Sequence, residues 1–158
     1  MSGLPAAAER VRAAASALGL DVTVHVMPAA TRTAEEAAAA CGCAVGAIVK
    51  SLIFQGKDSG RAYLLLVSGA NRVNEKAAAA ALGEPIVRPG ATFVREVTGY
   101  AIGGVPPCGH ATRLVPYLDA DLLQYETVWA AAGTPNAVFP VDPRKLRDAT
   151  GGVVIDVK

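Results

Sequence analysis

Two places in the chain carry residue types that could do chemistry. The first is Lys50, within Ile48-Val49-Lys50-Ser51-Leu52-Ile53-Phe54. Side chains alternate between the two faces of a strand. Lys50 therefore falls in line with Ile48, Leu52 and Phe54, while Ser51 points the other way with Val49 and Ile53. An ammonium among three apolar residues has two readings. It snorkels to water past the strand edge, or it stands at the floor of a pocket and meets a phosphate or a substrate oxygen. The same parity excludes a Ser51–Lys50 dyad. The second place is Gly103-Gly104-Val105-Pro106-Pro107-Cys108-Gly109-His110. Its glycines let main-chain N–H groups approach a ligand closely, and its prolines stiffen the segment and remove competing donors. A rigid loop offering backbone amides is what an oxyanion hole requires. Alone, the same composition also describes an ordinary surface loop.

The remaining candidates carry less. Cys108 and His110 invite comparison with a thiol nucleophile and its base. Two residues apart in a loop, their side chains diverge, and no third member is identifiable. Two histidines and three cysteines give no metal-ligand spacing, so neither a metal nor another cofactor is expected. His25 alternates with valines and reads as the exposed side of its strand. Asp119 and Asp121 read as helix caps before they read as a carboxylate pair.

These residues need elements to position them. Pro5 opens a helix through Leu18 with Val11, Ala14 and Leu18 on one stripe, and Gly19 closes it. Val22, Val24 and Val26 alternate with polar residues as a half-buried strand. Thr33-Ala34-Glu35-Glu36 matches a capping box, starting a helix that ends near Gly42. Ile48–Phe54 and Ala62–Ser68 read as hairpin partners around a turn at Gly56–Gly60. Asn74 caps a helix to Gly83, Ile86-Val87 is a short strand, and Thr92 caps a brief helix ending before Gly99. Arg113–Leu118 is a strand interrupted by Pro116, which predicts an edge or bulged position. Strands at Thr127–Trp129, Ala137–Val141 and Val153–Val157 follow, with Asp142-Pro143 starting a helix between the last two. Strands joined by short turns, with helices interspersed irregularly, point to a single mixed α/β domain rather than a doubly wound parallel sheet.

Bulk properties narrow the function. With 52% hydrophobic and 18% charged residues over 158 positions, a packed globule is expected and disorder is not. Alanine runs such as Ala37–Ala40 and Ala77–Ala81 fall where helices are expected, as good helix formers. No apolar stretch approaches the ~20 residues of a membrane span, and no leader pattern is visible near Met1. The odd cysteine count, with Cys41 and Cys43 too close for an ordinary bridge, predicts a reduced, cytoplasmic protein with no membrane partner. Net charge is +1, whereas proteins that grip long nucleic acids by their phosphates show a basic excess. Any RNA substrate must be held over a short stretch or presented by a partner.

Ile48–Phe54, the hairpin strand ending Val67-Ser68-Gly69, and then Asn71-Arg72-Val73 together resemble the core of the YbaK/prolyl-tRNA synthetase-associated domain family. Thr98-Gly99-Tyr100 followed by Gly103–Pro107 is similar to that family's G-x-x-x-P loop. Pro116–Asp119 and Val128–Gly133 are similar to its later stretches. The likeness runs from about Thr31 to the C-terminus. It implies a mixed, mostly antiparallel sheet curled into a partial barrel with flanking helices. It also implies a free-standing editing deacylase that hydrolyses the ester between a wrongly attached amino acid and the terminal adenosine of a tRNA. On this resemblance Lys50 and Gly103 are the catalytic positions, with Lys50 holding the acceptor end. Gly104, Val105, Pro106 and Pro107 cradle the aminoacyl group through their backbone, and Cys108 and His110 line its pocket. Water is activated with help from the tRNA's own ribose hydroxyl. The family's usual Gly-Asp after the hairpin is Gly69-Ala70-Asn71 here, so an acidic role at that turn is not carried over. Two alternatives stay open: a module that binds aminoacyl-tRNA or a nucleotide without cleaving it, and a hydrolase with Cys108 as nucleophile. The partner implied is the aminoacyl-tRNA acceptor end. A synthetase as second partner, and the choice among alanine, cysteine, serine, threonine or a small non-protein amino acid, stay open too.

Overall fold

The computed structural model describes residues 4–28, 31 and 33–158; Met1–Gly3, the first residues read for a leader, lie outside them. In chain order the helices are α1 (Ala6–Ala17), α2 (Ala34–Cys41), α3 (Glu75–Leu82), α4 (Ala91–Thr98) and α5 (Pro143–Thr150). The strands are β1 (His25–Val26), β2 (Val49–Gly56), β3 (Ala62–Ser68), β4 (Ile86–Val87), β5 (Tyr117–Asp119), β6 (Val128–Ala131), β7 (Ala137–Val141) and β8 (Val153–Ile155). Single 3-10 turns stand at Val45–Ala47 and Ala120–Gln124. No helix among the described residues is long and apolar enough to cross a membrane.

Three helix starts follow the capping chemistry and two do not. Thr33 and Glu36 form the reciprocal capping box at α2, Asn74 accepts from the Lys76 and Ala77 amides at α3, and Asp142 accepts from the Arg144 amide at α5. At α1 the N-cap is Pro5, which gives no side-chain cap, and at α4 it is Gly90. Thr92 lies inside the helix rather than capping it. On α1 the buried stripe is Ala8, Val11 and Ala15; Leu18, 43% exposed, lies past the last turn and faces solvent.

Strands form two sheets, ordered β1-β7-β6 and β4-β2-β3-β5-β8. Within the first the pairings are antiparallel. In the second, β2 pairs antiparallel with β3 and β4, and β3–β5–β8 run parallel. A lone parallel bridge from Ile48 to Trp129 joins the sheets. The strand surface is therefore continuous and curled but not closed among the described residues. Two strand expectations are corrected. Only His25 and Val26 of the Val22–Val26 segment pair, against Val138 and Ala137. And β5 is interior, between β3 and β8. Pro116 falls just before it and contributes only its carbonyl, which accepts from the Val153 amide at 3.0 Å. The missing proline N–H thus removes no ladder bond.

Alternation along the β2–β3 hairpin splits the core in two. Val49 and Ile53 of β2 with Leu64 and Leu66 of β3 join the cluster shared with α1, α4, β6 and β7. Phe54 of β2 with Tyr63, Leu65 and Val67 of β3 join the cluster under α3, with Leu52 packed against it. Leu64 through Val67 are wholly inaccessible. Both faces of β3 are buried, so truncating Leu64 to alanine should destabilise by about 2–5 kcal/mol.

Candidate functional site

A cavity of about 310 Å³ opens where one edge of β2 lacks a neighbour. β4 covers that edge only at Gln55 and Gly56, and β6 reaches it only through the Ile48–Trp129 bridge. In the gap, Val49 and Ser51–Phe54 face the cavity. The remaining walls are Thr33, Ala34 and Ala37 around α2, Arg88 and Pro89 after β4, and Val94 on α4. Ile102, Gly103, Val105, Trp129, Ala130, Ala131 and Val138 complete it, with Thr31 at its border. Arg88 is the only ionisable side chain among these lining residues. The other polar feature of the β2 wall is Ser51, whose hydroxyl is buried and has no hydrogen-bond partner among the described residues.

The glycine-rich loop divides into a part that meets the cavity and a part that braces it. Gly103 lines the cavity with φ +95 and open space where a Cβ would stand. Its N–H finds no acceptor among the described residues. Val105 lines the cavity and is anchored in the core. Gly104 plays another part. Its amide donates to the Ala101 carbonyl at 3.0 Å, and a Cβ there would lie 2.8 Å from the Gly133 carbonyl. It is a close packing point against the β6–β7 turn, and its amide is already used. Pro106, Pro107 and Cys108 are buried behind the loop and do not reach the cavity. Burial pushes the Cys108 thiol up to about 11, so it is a protonated core residue at neutral pH. His110 Nε2 lies 2.6 Å from the Pro106 carbonyl, and burial holds the imidazole below its ordinary pKa. A carbonyl only accepts, so the neutral ring donates and cross-ties the loop. Cys108 and His110, expected as pocket residues, are not among the residues lining this cavity.

Lys50 shares the α3-facing side of β2 with Leu52 and Phe54, as parity requires, and does not line the cavity. Its ammonium donates to the main-chain carbonyl of Asn71. The Asn71 side chain is anchored in turn: its Nδ2 donates to Asp119 Oδ2 and Asp121 Oδ2, both at 2.8 Å. Asp119, 1% exposed, also accepts from the Ser68 amide at 3.0 Å and the Asp121 amide at 2.9 Å. Asp121 pairs with Lys158 at 3.0 Å. Asparagine suits position 71 because an amide bridges two carboxylates, whereas an aspartate would add a third anion to them. Burial holds the Lys50 ammonium below its ordinary pKa, with Arg72 adding to the effect and Glu35 opposing it. Val49 and Ser51 on either side of Lys50 line the cavity, so the lysine stands beside it. Arg72 and Arg88 both disfavour the charge on Lys50, and of the three only Arg88 is among the lining residues.

Of the expected site residues, then, the structure brings Gly103 and Val105 to the cavity and sets Lys50 beside it. Sequence reasoning missed Ser51, Arg88 and Trp129. For Ser51 the signal was present: the alternation that separates it from Lys50 also places a hydroxyl in line with Val49 and Ile53. Arg88 and Trp129 reach the site through non-local pairing, and no local pattern marks them. Among the described residues no group of three His, Cys, Asp or Glu side chains could hold a metal ion.

A sequence profile of the aminoacyl-tRNA editing domain matches residues 28–149. The chain belongs to the aminoacyl-tRNA editing domain family. Its fold is shared by a crystal structure provisionally assigned as a trans-editing enzyme for prolyl tRNA synthetase, at 50% identity, TM-score 0.93 and 99% coverage of both chains. A hypothetical protein of known structure is 36% identical with TM-score 0.87, over 94% of this chain and 98% of that one. The uncharacterized protein YwhH of Bacillus subtilis (strain 168) is 32% identical over 116 residues, 73% of each chain. In this editing domain, the cavity falls within the matched segment, from Thr31 to Val138.

Proposed function

We propose that the chain hydrolyses mischarged aminoacyl-tRNA in trans, as a free-standing deacylase. The observation that carries this reading is an editing-domain cavity, apolar on most walls, that presents an unused main-chain amide at Gly103 and a cation at Lys50 beside its rim. The aminoacyl side chain enters between small walls such as Ala37, Val94 and Ala130. The Gly103 N–H donates to the ester carbonyl as negative charge develops there, which needs preorganisation rather than a titrating group. Among the described residues no carboxylate, imidazole or thiol lines the cavity, so the attacking water takes its general base from the tRNA, through the vicinal ribose hydroxyl. Lys50, outside the cavity, acts on the acceptor end, neutralising a phosphate or holding the ribose in an attack geometry. Gly104, Pro106, Pro107, Cys108 and His110 hold the loop in place rather than touch substrate.

The reading with Cys108 as nucleophile has little support, since its thiol is core-buried and His110 is engaged with Pro106. A reading as a module that binds without cleaving is separated by one measurement. Single-turnover release of labelled amino acid from mischarged tRNA should exceed spontaneous hydrolysis and should survive Cys108→Ala. Tight binding without release would establish the non-cleaving module instead.

A further inference from the structure

Antiparallel partners alternate between residues that exchange hydrogen bonds and residues whose main-chain groups point outward. Two bonds fix that alternation in the β2–β3 hairpin: Gly69 N–H to the Ile48 carbonyl at 2.7 Å, and Gly56 N–H to the Arg61 carbonyl at 2.8 Å. Lys50, Leu52 and Phe54 therefore bond to β3. Ser51, Ile53 and Gln55 turn their N–H and C=O groups to the opposite edge. Gln55 meets Val87 of β4 there. The next partner in that register, opposite Ile53, is Pro89, which has no N–H to give. The ladder stops at that point. Ser51 and Ile53 have no strand paired to them on that edge among the described residues, and both line the cavity. The Ser51 hydroxyl beside them is unpartnered as well.

We propose that this bare edge of β2 is the subsite for the α-ammonium of the aminoacyl group. The inference rests on the deacylase reading. An aminoacyl ester carries a cation that must lose water when it enters the cavity, and among the described residues the only ionisable side chain lining that cavity is the cationic Arg88. Acceptors must come from elsewhere. The carbonyls of Ser51 and Ile53 and the Ser51 hydroxyl can supply them, in the cavity that Gly103 also lines. Recognition is then of a free α-amino group, whatever the side chain, and the apolar walls set side-chain size.

Two measurements test it. The first compares single-turnover hydrolysis of alanyl-tRNA with that of lactyl-tRNA, in which hydroxyl replaces the ammonium, each divided by its own uncatalysed rate. Losing hydrogen bonds to a charged group should lower the lactyl acceleration about 10- to 100-fold. Equal acceleration of the two esters would overturn the subsite while leaving the deacylase standing. The second uses the stable amide 3′-alanylamino-3′-deoxyadenosine and its lactoyl counterpart, titrated into ¹⁵N-labelled protein. The alanyl compound should shift the Ser51 and Ile53 amides, and the lactoyl compound should shift them much less. Matching shifts from both compounds, or none at β2, would overturn the subsite. If none of alanyl-, cysteinyl-, seryl- and threonyl-tRNA is hydrolysed yet the alanyl amide alone shifts β2, then the deacylase reading falls and the ammonium subsite holds.

Discussion

At its Gly56 end, β2 turns under Glu84, whose carboxylate accepts from the Asp58 amide at 3.1 Å, the Ser59 amide at 2.9 Å, the Ser59 hydroxyl at 2.6 Å and the Tyr63 hydroxyl. At its Ser51 side, the same strand leaves, among the described residues, a buried hydroxyl without a partner and an edge to which no strand is paired. One strand, paired along its other edge to one partner, is thus saturated at one end and left open at the other. Satisfied polar groups fix geometry, and unsatisfied ones retain interaction capacity that only a ligand takes up. The saturated end should govern stability and the open end activity.

The sharpest way to break this comparison is at the loop facing the open edge. Gly103→Ala meets no atom, but φ +95 disfavours any side chain, so the amide must move from its aim. Single-turnover deacylation should fall about 10²–10³-fold, the usual effect of losing one oxyanion donor. Near wild-type turnover would remove the backbone mechanism. Lys50→Ala should lose most deacylation and melt close to wild type. Its neighbour separates a second role: Gly104→Ala drives a Cβ against the Gly133 carbonyl and should destabilise by about 1–3 kcal/mol, measured by urea denaturation.

Smaller effects distinguish the two ends. Hydrogen bonds, first from Ser59 and then from Tyr63, pull the Glu84 carboxyl down to about 2. A folded value below the unfolded one means its stabilisation is complete above ordinary carboxylate pH and is lost as pH falls through about 2. Glu84→Gln should therefore lower the melting temperature at neutral pH and narrow the gap to wild type in acid, with turnover per folded molecule unchanged. Ser51→Ala should do the reverse. Removing an unpartnered buried hydroxyl is close to neutral for stability, within ~0.5 kcal/mol, while turnover falls. A lower melting temperature for Ser51→Ala with full turnover would show that the hydroxyl is structural after all.

Much of this was legible before the fold. The hairpin, the capping box at Thr33 and the Asn74 cap are local patterns, and each appears where local chemistry puts it. The loop at Gly103 is marked by its glycines and prolines, but composition does not separate an amide without an acceptor among the described residues, at Gly103, from one spent on Ala101, at Gly104. Lys50 was found by parity, yet its setting on Asn71, between Asp119 and Asp121, joins segments about fifty residues apart. The strand at Tyr117 was misplaced to an edge because Pro116 was counted as part of it. The cavity itself depends on Pro89 ending a two-residue strand, a non-local consequence of one missing N–H.

Single-turnover hydrolysis of alanyl-, cysteinyl-, seryl- and threonyl-tRNA tests the central claim most directly, with wild-type protein in excess and each rate compared with the uncatalysed one. At least one ester should be released well above its spontaneous rate, by a reaction that Gly103→Ala suppresses and Cys108→Ala leaves intact. If all four esters, though bound, decay at their spontaneous rates, then the open edge of β2 holds aminoacyl-tRNA without cleaving it, and the deacylase account is wrong.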